Sequence, residues 1–264
     1  MKGSPIELEL NRLAESGATG ALHVGAEGSL FLTDGMVTFA QSERATSLDL
    51  LLTASGRVSE QSWQRARARG APPATWKAAT AKRLSHAEFE TFVLLAIFDA
   101  AFFLLPSSEP AGFAEAERHW LDPIWRITPG TLAHECRRRQ AQLEAAWPYA
   151  LADDAPVIPI RRLRRQRVIL TGLQAELLLN ADGHRTVTDL ARELGRTCFG
   201  SLLALRGLAA ASLVHVESTT PRRRRPALAP PPVNPPAEAP GQPRWAAVEQ
   251  DLLVRLRDAL TEFT

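Results

Sequence analysis

The chain has 264 residues, 45% of them hydrophobic, 23% charged and 6% aromatic, with a mean hydropathy of -0.12, which excludes a disordered or fibrous polymer and leaves room for one or two packed domains. The formal net charge of +2 excludes a strongly polycationic or polyanionic chain, yet the charge is uneven: residues 1–150 hold 15 Lys+Arg against 17 Asp+Glu, 151–225 hold 13 against 7, and 226–264 hold 3 against 5. Only the middle block is basic.

In chain order, Ser4-Pro5-Ile6-Glu7 combines an N-cap serine, a first-turn proline and a glutamate three residues after the cap, predicting a helix that Gly17 ends. Three short apolar runs follow, Ala21 to Val24, Ser29 to Thr33 and Met36 to Ala40. Asp34-Gly35 between the last two is a two-residue hairpin signal, because both positions of a type I′ turn need positive φ. Helices are expected over Thr46 to Ser55 and Ser59 to Arg69, and Pro72-Pro73 then interrupts the chain.

Ser85-His86-Ala87-Glu88 is a second cap, opening a helix through Leu105 that is apolar nearly all round and must be covered on most sides. At 14 residues, Phe92 to Leu105 is too short to span a bilayer, which takes about 20. Asp99, its lone ionisable residue, is expected to be paired or to act as a cap, since an unpaired buried charge is costly. Gly112 to Leu121 reads as one or two strands, and Thr128-Pro129 opens a helix to Trp147.

From Val157 the texture changes. A basic run, residues 161–167, precedes helical patterns over Leu173 to Asn180, Thr186 to Leu194 and Thr197 to Ser212, and then an extended Leu213 to Glu217. That order is the layout of a winged helix-turn-helix. Nine of the 19 prolines fall in residues 219–243, predicting an extended linker. Trp245, Val248, Leu252, Leu256, Leu260 and Phe263 then recur at helical spacing, a short amphipathic helix on a tether.

Gly20 to Val24, Gly28 to Val37, Ala40 and Leu51-Leu52 through Ser59 resemble the bacterial PATAN-type domain, over the first 70 residues and more loosely to about residue 130. The resemblance implies a non-enzymatic module found beside response-regulator and small-GTPase signalling systems, with no catalytic residues to carry over. Residues 186–214 are similar to the helix-turn-helix core of winged-helix transcription regulators. They depart from it at Ser212, where that family has Gly, and in lacking a two-stranded wing after Glu217.

The chemistry-bearing residues are sparse. His134 and Cys136 sit two apart on a helix and point to different faces, so they form no dyad. Six histidines and two cysteines show no metal-ligand spacing, and no phosphate loop is present. No catalytic, metal or cofactor residue is therefore named. On the third helix of the basic domain, Ser201, Ala204, Leu205 and Leu208 should face the core. Phe199, Leu202, Leu203 and Arg206 are left on the side that would enter a DNA groove, where large apolar residues read bases poorly and instead mark a protein contact. Trp245, Leu252, Leu256 and Phe263 are the matching candidates on the terminal helix. The alternative is DNA binding, with Arg161, Arg162, Arg164, Arg165, Arg185 and Arg196 meeting phosphates.

The sequence thus predicts an α+β protein, with a small antiparallel meander packed with helices and then a helical domain. Its expected divisions are a PATAN-like domain over 1–155, a winged-helix-like domain over 156–218, a linker over 219–243 and a tethered helix over 244–264. The expected role is that of a non-enzymatic regulator or adaptor without cofactor, working through protein partners such as small-GTPase or response-regulator components, with weak DNA binding and no membrane. A start without signal-peptide layout and only two cysteines point to a reducing cytoplasm.

Overall fold

A computed structural model of the chain describes residues 3–68, 84–148, 150, 153–160 and 168–215. Helix α1 (Pro5–Glu15) begins where the cap predicts, the Ser4 hydroxyl accepting from the Glu7 amide at 3.1 Å. Strands β1 (Gly20–Val24), β2 (Gly28–Thr33) and β3 (Met36–Ser42) form the expected meander. Asp34 and Gly35 have φ of 51° and 73°, the type I′ turn that the sequence requires. A Cβ on Gly35 would also come within 2.6 Å of the Ala14 carbonyl oxygen, so the same glycine lets the end of α1 approach the hairpin.

A fourth strand, β4 (Ala111–Glu115), returns from far along the chain to pair antiparallel with β1, giving the sheet order β3-β2-β1-β4. Only one strand forms in the stretch from Gly112 to Leu121. Ala116 turns left-handed at φ 60°, and the segment after it folds across the sheet, where His119 stacks on Phe39 with ring centroids 3.9 Å apart. Covering the cross-strand pair Phe31–Phe39 takes precedence over extending the ladder.

Among the described residues two short helices follow the meander, α2 (Leu48–Thr53) and α3 (Glu60–Ala68), before α4 (His86–Leu104) with its complete Ser85–Glu88 capping box. Helix α4 lies against β2, β3 and α2, and also against α5 (Pro129–Ala146), so its uniformly apolar surface is covered as predicted. Burying Val93 and Ile97 fully contributes about 1.5–3 kcal/mol each.

The remaining described elements are β5 (Ile158–Pro159), α6 (Gly172–Asn180), α7 (Val187–Glu193), α8 (Cys198–Ala210) and β6 (Val214–His215). The extended segment after α8 does find a partner, because β6 pairs antiparallel with β5, upstream of all three helices. The architecture is mixed α+β. Met1–Thr219 form one compact unit, so segments 1–155 and 156–218 pack within it, and α8 touches both α4 and α5. The second unit, Thr220–Thr264, lies outside the described residues, as do Pro72-Pro73 and the basic run 161–167. Among the described residues no helix is long and apolar enough to cross a membrane.

Candidate functional site

Helix α8 carries the candidate surface, and its surroundings decide what that surface can meet. Ser201, Ala204, Leu205 and Leu208 are buried, as the helical spacing predicts. The opposite side is covered too. Leu202 and Arg206 are each 3% exposed, while Phe199 and Leu203 are half-buried against the core. Phe199, Leu202 and Leu203 are expected to be covered by another part of the chain or by a partner, and among the described residues it is the chain itself that they meet, together with Arg206. The physical reason is that a helix apolar on all sides needs cover on all sides, and α4 and α5 supply what α6 and α7 leave open.

The ties across this contact are polar as well as apolar. Asp99, fully buried on α4, accepts from the Cys198 and Phe199 amides at 2.8 Å each and from the Thr46 amide at 3.4 Å. It thus caps the first turn of α8 from another element, beside that helix's own Thr197 cap. Burial pushes the Asp99 carboxyl above its ordinary range, against the pull of the three amides and of Arg139. The Thr46 hydroxyl lies 3.3 Å from the Cys198 sulfur.

Phe199 sits 5.6 Å from the Phe102 ring and 4.7 Å from the Arg139 guanidinium, which also lies over Phe98 at 5.4 Å. At the other end of α8, Arg206 makes two bonds to Asp153, at 3.1 and 2.5 Å, and a third at 3.0 Å to the Trp147 carbonyl. Arg192 of α7 donates to the Glu43 carbonyl. Gly195, at φ 61°, brings the turn before α8 so close to α2 that a Cβ there would lie 2.4 Å from the Ser55 amide nitrogen.

Of the candidate phosphate-binding arginines, two fall among the described residues, and both are engaged. Arg185 pairs with Asp182 at 2.8 Å and with Glu193, and also donates to the Asn180 carbonyl. Arg196 forms a two-pronged pair with Glu176 at 2.9 and 3.2 Å. Arg161, Arg162, Arg164, Arg165, Trp245, Leu252, Leu256 and Phe263 lie outside the described residues. Ile169 and Leu179, flanking and ending α6, are 99% and 85% exposed.

One constellation escapes a reading along the sequence. The Ser29 hydroxyl lies 2.8 Å from His23 Nδ1, and His23 Nε2 lies 3.0 Å from the Glu117 carboxylate. A carboxylate, imidazole and hydroxyl in series can activate a nucleophile. Here, however, Ser29 is 6% exposed on a strand flanked on both sides, whose amides are committed to the ladders. A substrate carbonyl has neither approach nor oxyanion donors, and the three groups act as a cross-strand tie. The Gly25 to Gly28 turn sets His23 opposite Ser29 and so makes half of this legible, whereas Glu117 arrives from another element.

Burial raises both thiols to about 12, so Cys136 and Cys198 are neutral and unreactive at physiological pH. His134 is exposed, on another face from Cys136. Among the described residues no group of three or more His, Cys, Asp or Glu side chains is placed to hold a metal ion. No family model, curated protein or solved structure matches the chain.

Proposed function

We propose that the chain is a non-catalytic regulatory or adaptor protein that acts through protein contacts, with a PATAN-like first half and a degenerate winged helix that does not read DNA. The observation that carries this reading is the Asp99 carboxylate on the first turn of α8. In a DNA-reading helix that turn approaches the duplex, whereas here its amides are spent on Asp99 and its outer face is covered, and both oppose binding. Freeing α8 means breaking the Asp99 bonds and the Arg206–Asp153 pair together. Exposed Ile169 and Leu179 support a protein contact elsewhere on the same half. The partners, following the PATAN resemblance, are components of small-GTPase or response-regulator signalling in the cytoplasm.

The alternative, a DNA-binding regulator, draws on the helix order α6, α7, α8 followed by β6. Affinity capture from the native host with and without nuclease, together with a DNA shift assay, separates the two. The expected result is a partner retained after nuclease and only weak, salt-sensitive DNA binding. Nanomolar, sequence-selective binding that survives physiological salt would overturn the proposal.

A further inference from the structure

The four-stranded sheet has two edges, and among the described residues only one of them is closed. Along β3, Val37 exchanges both backbone hydrogen bonds with Ile127, at 2.9 Å each. Along β4, the ladder to β1 fixes which backbone groups remain. The Gly25 amide donates to the Pro110 carbonyl at 2.9 Å and the Ala116 amide to the Thr19 carbonyl at 3.0 Å. Hydrogen-bonded pairs alternate along an antiparallel ladder, so Gly112 and Ala114 face β1 while Ala111, Phe113 and Glu115 turn their N–H and C=O groups outward. None of these outward groups has a partner among the described residues. Phe113 anchors the strand, its ring lying where a Cβ on Gly20 would come within 2.6 Å of it. Ala111, Gly112 and Glu115 are exposed, and a Cβ on Gly112 would meet nothing among the described residues within 4 Å.

We propose that β4 pairs antiparallel with β4 of a second copy of this chain, about a two-fold axis beside Phe113, joining the two sheets into one. The open edge is bounded at both ends. The Glu109 amide, next in the outward series, already donates to the Ser107 hydroxyl at 3.1 Å, and Ala116 turns left-handed at φ 60°. A longer strand would run past both stops, whereas a two-fold copy ends where this one ends. In that register Phe113 pairs with Phe113 and Ala111 with Glu115, so every outward group on both copies gains a partner. The side chains suit the same register. Glu115 stands opposite the small Ala111, about 14 Å from the other copy's Glu115, so like charges do not meet. The two Phe113 rings form a cross-strand aromatic pair. Gly112 falls opposite Ala114, which keeps bulk out of the closely spaced non-hydrogen-bonded pairs. The acids beyond the strand turn back over their own sheet, Glu109 against Gly25 and Glu117 onto His23. The inference goes beyond the adaptor reading and does not rest on it.

Sedimentation equilibrium of the full chain should show a monomer–dimer equilibrium with a Kd of about 100 µM or tighter. Hydrogen exchange of the unaltered protein, read residue by residue, reports the register. As concentration rises, the amides of Ala111, Phe113 and Glu115 should slow at least twofold, while those of Gly112 and Ala114, already bonded to β1, should not change. Ala111→Cys combined with Glu115→Cys should oxidise to a disulfide-linked dimer, because the two-fold sets position 111 about 5.5 Å from position 115 of the other copy. Either change alone should not, since like positions stand about 14 Å apart. The native Cys136 and Cys198 are buried and do not compete. A chain that stays monomeric up to about 500 µM leaves the edge to a strand of another protein and overturns the proposal. A dimer whose slowed amides lie elsewhere, or crosslinking as efficient in a single variant as in the pair, overturns it too.

Discussion

A carboxylate can sit fully buried at Asp99 because three backbone amides converge on it, and those amides need it as much as it needs them. Asp99→Ala leaves three buried donors without an acceptor and should cost about 3 kcal/mol, read as a lower midpoint in urea at unchanged slope. The pH dependence follows from the direction of the shift. The folded-state value is raised, so the native protein binds this proton more tightly than the unfolded chain. The contribution is fullest below the unfolded value of about 3.9 and is lost as pH rises towards the folded value. Asp99→Asn removes that titration. Its stability relative to the parent should therefore climb with pH across the window, and a flat or falling difference would contradict the assignment. The sequence made Asp99 conspicuous as an acid in an apolar helix. It did not name the partners, because Cys198 and Phe199 lie about a hundred residues away and their free amides exist only as the first turn of another helix.

At the level of elements, helix starts were the most legible feature, because each depends on neighbours within four residues. Ser4, Ser85 and Thr128 cap where the sequence places them, and Thr186 and Thr197, read only as the first residues of helical patterns, are caps as well. The direction in which α8 faces was half legible. Periodicity identified one buried side, but a helix apolar all round carries no stripe to say what lies on the other. Two variants test the contact that resolves this. Arg206→Met strands the Asp153 carboxylate at a mostly buried site and should cost about 3 kcal/mol, while the double change with Asp153→Leu should recover most of it in a double-mutant cycle. Gly195→Ala places a methyl group against the end of α2 in a left-handed backbone. A loss of at least 1–2 kcal/mol is expected from the conformation alone, accompanied by faster hydrogen exchange in α8. Unchanged exchange in α8 would show that the turn does not hold it in place.

For the molecule as a whole, composition and pattern announced an α+β chain, and the meander was readable from its turns. The β1–β4 pairing was not, because nothing local to Ala111–Glu115 specifies a strand about ninety residues earlier. Deleting residues 221–264 should leave the thermal transition of Met1–Thr219 within about 2 °C of the full chain, since Met1–Thr219 form a compact unit of their own. By the reading of the terminal segment as a tethered ligand, the same deletion should abolish at least one partner interaction. A much earlier melt or insolubility of the shortened chain would place the terminal segment in the core.

The Asp99 cap also sets a schedule for synthesis. The residue leaves the ribosome 99 positions before the Cys198 amide that it must meet, a delay of about 5–20 s at ordinary elongation rates. Throughout that interval the α4 surface destined for Phe199 stays uncovered, and the carboxylate remains hydrated in a place that will later be dry. The first half of this protein therefore emerges with an apolar flank that stays open until α8 follows. Two freestanding modules joined near residue 155 would make no such demand.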